Sequence, residues 1–301
     1  SSSRGLGDVY KRQGYVPYEG PRLGTAAAVR AEVRDGIRRV LGLRRKARKK
    51  ILPWMLVGIA LIPAIVFVGL AFLLSSFDPL GAGEDSPFGG HVDFFGLIGN
   101  VVLLFAALAG PELLVPDRTE GVLAVYSSRP MRPRDYLLGR TGALAIVLAG
   151  FLLVPQFLMY LGFAALDDAG FLRALAERSD DLVQIVLSSG VYMLAYGAPA
   201  ILIATFARRT APATGVYLAL MLVLSGFAQG MVEGDVTGAR FAALGALAQH
   251  PVVVTDWIFD HSTFGLAPVD AGWDPWVSLA IILLVTAVTA VVTIRRYRSL
   301  M

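Results

Sequence analysis

Cysteine is absent from these 301 residues, which excludes disulfides, thiolate nucleophiles and Cys-ligated metals. Lysine is nearly absent, with Lys11, Lys46, Lys49 and Lys50 the whole set. A phosphate-binding loop needs a lysine directly after a glycine loop, because backbone N–H groups cradle the phosphates while the lysine reaches them. None of the four stands so; if ATP drives this protein, another polypeptide binds it. Histidine occurs three times, as His91, His250 and His261. Most tellingly, six long apolar runs hold no Asp, Glu, Lys, Arg or His at all. Intramembrane ionisable groups are the usual sign of proton coupling, so their absence argues against a proton-driven pump or antiporter, though backbone carbonyls could still bind sodium.

What is present is hydrocarbon-compatible length. The runs are Ile51–Leu74, Phe94–Pro111, Thr141–Leu166, Leu182–Ala207, Thr210–Val232 and Pro275–Ile294. Each has the length a helix needs to cross a hydrocarbon core roughly 30 Å thick. Hydrophobic residues make up 55% of the chain and the mean hydropathy is +0.63, too apolar for an ordinary soluble domain. The expected fold is an all-α membrane protein with six transmembrane helices.

The basic residues set the expected orientation. Of 27 Lys and Arg, 14 precede the first run, 5 lie between the second and third, 2 between the fourth and fifth, and 3 follow the sixth. Only Arg173, Arg178 and Arg240 occupy the other gaps. Short basic loops stay on the cytoplasmic side. Both termini are therefore expected in the cytoplasm, in a multi-pass protein of the cell (inner, plasma) membrane. The first outer gap carries Asp78, Glu84, Asp85 and Asp93. The net charge of +4 reflects this topology and suggests no nucleic-acid partner. Trp54, Trp273, Trp276 and Tyr297 mark the two interfaces.

Residues 1–13 (SSSRGLGDVYKRQ) resemble a translated sequencing adaptor, and native sequence is expected to begin near Gly14. Residues 14–50 read as a cytoplasmic basic region. Within it, Val29, Val33, Ile37 and Leu41 recur every four residues beside Arg30, Arg34, Arg38 and Arg45, the pattern of an amphipathic helix. It is expected to lie in the interface, arginines toward anionic headgroups. The cluster from Arg44 to Lys50 then acts as a stop against translocation. The first apolar run can serve as its own insertion signal.

The remaining chain, 51–301, is the membrane domain. Its longest outer gap, 233–274, is partly apolar around Phe241, Leu244, Leu247, Val252–Val254 and Trp257–Phe259. One or two semi-buried helices are expected there, broken by Pro251. A shorter outer helix spans 171–177. Inside the runs the few polar residues are ordered. Gln184, Ser188, Tyr192 and Tyr196 follow one another at four-residue spacing in the fourth run. Thr214, Tyr217, Ser225 and Gln229 nearly do so in the fifth, and Asn100 and Gln156 are the lone amides of the second and third. Each can serve helix–helix hydrogen bonding; together they are candidate pathway or interface residues.

Enzyme chemistry finds little support, and no catalytic residue is assigned. Ser188–Ser189–Gly190 resembles the nucleophile of a rhomboid protease, but no histidine lies within a run to act as base. Asp256, Asp260 and His261 form a thin metal or lipid-enzyme candidate that reads better as a solvated loop, so no metal site and no cofactor of this chain is expected.

The segment 112–140 carries the most specific pattern. It reads Asp117–Arg118, Gly121–Val122–Leu123, Ser128–Arg129–Pro130 and Arg134–Asp135–Tyr136–Leu137–Leu138–Gly139–Arg140. A short helix is expected near 119–126, and Asp135 can favour the exposed N–H groups at the start of the next. Mixed charge on a short restrained helix suits docking of a soluble partner. This resembles the loop between the second and third spans in permease subunits of type-2 ABC exporters, and the six-span plan and preceding amphipathic helix extend the resemblance over roughly residues 20–301. The chain departs from well-known members in its long basic N-terminal region and small outer domain.

The resemblance implies a half-transporter that pairs with a second permease, as homodimer or heterodimer, and docks a separate ABC ATPase binding ATP and Mg. Asp117, Arg118, Glu120, Gly121, Arg129, Pro130, Arg134, Asp135 and Tyr136 would form the ATPase-coupling loop, with 117–127 its helix, and transport would follow the permease interface. A non-transporting scaffold or assembly subunit and a membrane-embedded lipid-acting enzyme are the alternatives. The topology has a direct test in this Cys-free chain. Single cysteines at Ser86 and Ser262 should react with an impermeant maleimide on intact cells, whereas those at Ser128 and Thr210 should not. Labelling at Ser128 from outside would invert the orientation.

Overall fold

The computed structural model describes residues 20, 24–43, 48–77, 90–127 and 131–301. The adaptor-like leader, the side chains of the cluster at 44–50, the acidic residues of the first outer gap at 78–89, and Ser128–Arg129–Pro130 lie outside the described residues. Among the described residues there are helices and turns but no strand. A first helix, α1 (Thr25–Val40), precedes α2 (Arg48–Phe77) and α3 (His91–Thr119). Next come the short α4 (Val122–Ser127), the long α5 (Pro133–Ala165), α6 (Phe171–Glu177) and α7 (Ser179–Phe206). The fifth apolar run forms α8 (Thr210–Glu233). Three short helices follow, α9 (Ala239–Ala242), α10 (His250–Ile258) and α11 (Ala267–Asp270), before α12 (Pro275–Arg298).

Six of these, α2, α3, α5, α7, α8 and α12, are long and apolar enough to cross a membrane. This is the architecture of a multi-pass membrane protein. The centre of the bundle is α3, α5 and α7, where 56, 50 and 56% of the most apolar stretch is buried, against 17–22% for the outer three. The outer helices are apolar on nearly every side, as expected of surfaces facing lipid or another protein. One end of the bundle is rich in arginine and holds α1 and α4; the other holds α6 and α9–α11.

The second spanning helix outruns its apolar stretch, passing through Pro111 and Pro116 to end at Thr119. A proline inside a helix deprives the carbonyl four residues earlier of its donor. For Pro111 that carbonyl belongs to Ala107, and the Thr214 hydroxyl of α8 donates to it at 2.9 Å. The helix stops where Gly121 adopts φ +72°, a left-handed conformation natural only to glycine. The third span likewise starts early: Pro133 occupies the first turn, and the Asp135 carboxylate accepts from the Arg132 N–H at 3.2 Å. Pro251, expected to break a helix, instead opens α10 from its first turn, where its missing N–H costs nothing.

In α8 a π turn, Ala219–Val223, interrupts the α-helix. Eight α-helical residues overshoot two turns by about 80°. The wide turn absorbs one residue, so Tyr217 and Ser225 both face the bundle and are buried.

Helix α1 meets the bundle on a different face from the one its apolar stripe suggests. Glu32, Gly36 and Val40 are the buried positions, one turn apart, while Val29, Val33 and Ile37 are half-buried beside them. Contact with α5 is close enough to require glycine on both sides. A Cβ on Gly139 would lie 2.4 Å from the Glu32 Cβ, and one on Gly36 would lie 2.5 Å from the Ala143 Cβ. The Gly139→Ala substitution should therefore loosen α1 at a cost of about 1–3 kcal/mol while the six spans stay folded. Tryptic cleavage after Arg34 in the purified variant should accelerate about tenfold or more, since cleavage tracks the opened population. An unchanged rate would mean that α1 is not held by this contact.

Candidate functional site

The helix crossing of α1 over α5 brings the Glu32 stem against the α5 backbone and so delivers its carboxylate to Arg140. Arg140 is fully buried. Its guanidinium lies 2.7 Å from Asp117, 2.9 Å from Asp35 and 3.2 Å from Glu32. Arg39 of α1 adds a second cation, 2.7 Å from Asp117 and 3.4 Å from Asp35. The Tyr136 hydroxyl donates to the other Asp117 oxygen at 2.9 Å. Two arginines, Arg39 of α1 and Arg140 of α5, thus serve three carboxylates, two from α1 and one from α3. Buried charge is tolerated when it is paired in this way, with Arg140 Nη1 hydrogen-bonded to Asp35 and Nη2 held against Asp117 and Glu32 by charge.

The carboxyls from α1 respond to this setting in opposite directions. Burial would raise Asp35, but the hydrogen bond and charge of Arg140, then the charge of Arg39, outweigh it and hold the carboxyl below its ordinary value. At Glu32 burial prevails over the Arg140 charge and a hydrogen bond with Tyr126, so its carboxyl is raised. Tyr126 is itself pushed up to about 12, by burial first and then by the Glu32 charge.

Arg118, the next residue after Asp117, reaches a different span. Its guanidinium donates to the carbonyls of Thr205 and Ala207, and to that of Ala204 at 3.2 Å. These belong to the last turn of α7, where carbonyls have no partner within the helix and the helix dipole favours a cation. Asp117 and Arg118 therefore belong to the last turn of the second spanning helix, with their side chains turned into the protein. The segment left facing outward is the turn at Glu120–Gly121 and part of α4. Leu123 of α4 is buried, and Tyr126 packs 5.5 Å from Tyr136, which stacks at 5.6 Å on Tyr297 of α12. Arg134 is exposed at the start of α5, with Asp135 beside it as a cap. Arg129 and Pro130 lie outside the described residues.

The polar residues of the spans lie in the opposite half of the bundle, and most are spoken for. Gln184 donates to the Ile258 carbonyl at 3.1 Å and Tyr192 to that of Phe95 at 3.2 Å. Tyr196 donates to the Ala248 carbonyl at 3.0 Å, while the Ala248 N–H donates to Ser225 at 3.0 Å. Tyr217 donates to the Tyr196 carbonyl at 3.0 Å. Gln229 donates to Glu233 at 2.9 Å and accepts from Gln249 at 3.1 Å. Gln156 clamps the start of α3, 2.5 Å from the His91 ring nitrogen and donating to the His91 carbonyl at 3.0 Å. Ser188 is buried with no hydrogen-bond partner among the described residues. Asn100 alone faces outward, from the second spanning helix. Tyr196 and Ser225 thus fasten the turn before α10 to the spans, while Tyr192 and Tyr217 tie α7 to α3 and α8.

Of the thin metal candidate, Asp256 accepts from Thr263 at 2.6 Å, and Asp260 and His261 are exposed. No group of three metal-ligating side chains occurs among the described residues.

Sequence reasoning found Asp117 and Tyr136 but missed Glu32, Asp35, Arg39 and Arg140 as a unit. A signal existed: three of these lie within eight residues of one helix, at i, i+3 and i+7 spacing. The class defined so far is a six-span helical membrane protein whose N-terminal helix is tied to the bundle by buried ions. Comparison with family models and with curated proteins finds no match to this chain.

Acid should act on this site with a definite sign. Asp35, lowered in the folded state, stabilises docking above the ordinary carboxylate range, and that contribution is lost as pH falls through it. Glu32, raised, favours docking when protonated, and its contribution is lost as pH rises through its raised value. Amide exchange over residues 25–40 should accordingly show Glu32→Gln more protected than wild type at pH 7. Asp35→Asn should lose the loosening that wild type shows in acid. Faster exchange in Glu32→Gln at pH 7 would reverse the assignment.

Proposed function

We propose that this chain is the permease subunit of an ATP-driven ABC-type exporter, a half-transporter with both termini in the cytoplasm. The observation that carries the reading is the linkage of one outward-facing element, Glu120 to Ser127, to four helices. Through Arg118 it is joined to the end of α7, and through Asp117, Tyr136 and Arg140 to α5 and α1. Tyr126 extends the linkage to Glu32 and, by way of Tyr136, to Tyr297 on α12. A push on α4 therefore moves several spans together, which is what a coupling element has to do. The motif from Asp117 to Arg140 supports the same reading.

In this reading Glu120, Gly121 and the exposed face of α4 meet the ATPase, with Arg129 and Pro130 alongside. Asp117, Arg118, Asp135 and Tyr136 transmit the load. ATP and Mg belong to the partner ATPase, and this chain performs no catalysis. A second permease, identical or different, completes the path. The outward amide Asn100, on an otherwise apolar stretch of α3, supports a protein neighbour there, since an amide facing lipid alone is costly.

The test separates docking from folding. Glu120→Arg combined with Ala124→Arg should abolish co-purification of a bound ATPase with the tagged chain, while thermal unfolding of the chain stays within a degree or two. Exposed single charges are worth only about 0.2–1 kcal/mol, so both changes are made together. Full retention of the ATPase by this variant would exclude α4 as the docking element. Extraction of the wild-type chain with no ATPase at all would favour the scaffold alternative.

A further inference from the structure

A groove of about 620 Å³ opens between α5, α7 and α12, with no residue of α1 or α3 in its lining. Its walls are aliphatic side chains and threonines, and its floor includes Gly197 and Ala198 of α7 and Ala145 of α5. Those small residues are what make the groove deep. Thr141, Thr286 and Thr293 direct their hydroxyls to protein partners at 2.7, 2.8 and 3.1 Å, and Thr289 is the one lining threonine whose hydroxyl has no partner among the described residues, so the lining offers mainly C–H surface. Along α5 the groove runs from Arg134 to Leu148. Fourteen residues of helix measure about 21 Å, roughly one leaflet of a 30 Å hydrocarbon core together with its headgroup margin.

The two ends differ in chemistry. Leu148, Met193 and Thr286 close it at mid-bundle depth, and Arg134, Ile201 and Ile294 form the mouth at the arginine-rich end. Arg134 is exposed and has no ion pair or hydrogen bond among the described residues. A cation at headgroup level above a one-leaflet apolar channel matches one kind of molecule, a lipid with an anionic headgroup and a long acyl chain. We infer that this groove holds a single anionic phospholipid from the leaflet at the arginine-rich end, its phosphate on Arg134 and one acyl chain between α5, α7 and α12. A second protein chain fits less well, because it would bury a guanidinium that has no counter-charge among the described residues. The inference does not depend on transport or on any ATPase.

The test uses the full chain, purified in detergent and incubated with an equimolar mixture of phosphatidylglycerol and phosphatidylcholine. Native mass spectrometry should show one retained phosphatidylglycerol per chain, preferred by about fivefold, the effect of one arginine near a headgroup. Arg134→Gln should erase the preference but keep the lipid, because the apolar walls remain. Ala145→Trp should fill the floor and lower the retained lipid by one per chain. A photoactivatable phosphatidylglycerol with its probe in the acyl chain should label the wild type within 137–148 or 286–294, which keeps the question open to decision even if Ala145→Trp misfolds. Labelling elsewhere, or an undiminished preference in Arg134→Gln, would overturn the assignment. So would an Ala145→Trp variant that changes oligomeric state with its lipid count intact, since the groove would then seat another chain.

Discussion

Arg140 is the constraint around which the arginine-rich end of this protein is arranged. A guanidinium with no solvent contact must find its counter-charges within the protein, and it finds them on two other helices, α1 and α3. Removing the Arg140 guanidinium would leave Glu32 and Asp117 short of a counter-charge, a cost of about 3–5 kcal/mol. Charge and close packing together place α1: Gly36 and Gly139 let it approach α5 closely enough for Glu32 to lie 3.2 Å from Arg140.

From that knot the mechanical properties of the basic end follow. Asp117 holds α3 to α5 and α1, while the adjacent Arg118 caps α7. Two consecutive residues thus fix the end of the second span in two directions, and the helix can carry two internal prolines without fraying. Because its carbonyl at Ala107 is taken up by Thr214, α8 is also drawn against α3. The proposed coupling role rests on this stiffness. An element attached to one span would merely bend it, whereas α4 is attached through tyrosines and ions to a frame of several.

The other half of the bundle is held by neutral hydrogen bonds. Tyr192, Tyr196 and Tyr217 donate their hydroxyls to backbone carbonyls of neighbouring segments, and Ser225 accepts from the Ala248 N–H, so each bond pairs polar groups that hydrocarbon would leave unpaired. In an apolar medium such bonds contribute about 0.6–2 kcal/mol each. Ion pairs at one end and neutral hydrogen bonds at the other divide the protein into a charged frame at the arginine-rich end and a neutral half opposite it.

The pattern of the chain by itself determined the six spans, because hydrophobic length is a one-dimensional property and each run is unbroken by charge. It also determined that residues 112–140 would be distinctive, through their mixed charge and their Gly and Pro punctuation. The stripe Gln184–Ser188–Tyr192–Tyr196 was legible as a polar face since helical spacing is local. Its destination was not, because the partners Ile258, Phe95 and Ala248 lie 52–97 positions away in two of the bonds and 74 in the third. The same limit hid the role of Arg140, which as sequence is one more basic residue in an inner loop. Only the crossing of α1 over α5 turned it from a topological marker into a buried counter-ion, and the pairing spans 105 positions from Asp35. Periodicity reports which residues share a face; what that face meets is decided when distant segments pack, and burial then sets the strength of every charge it encloses.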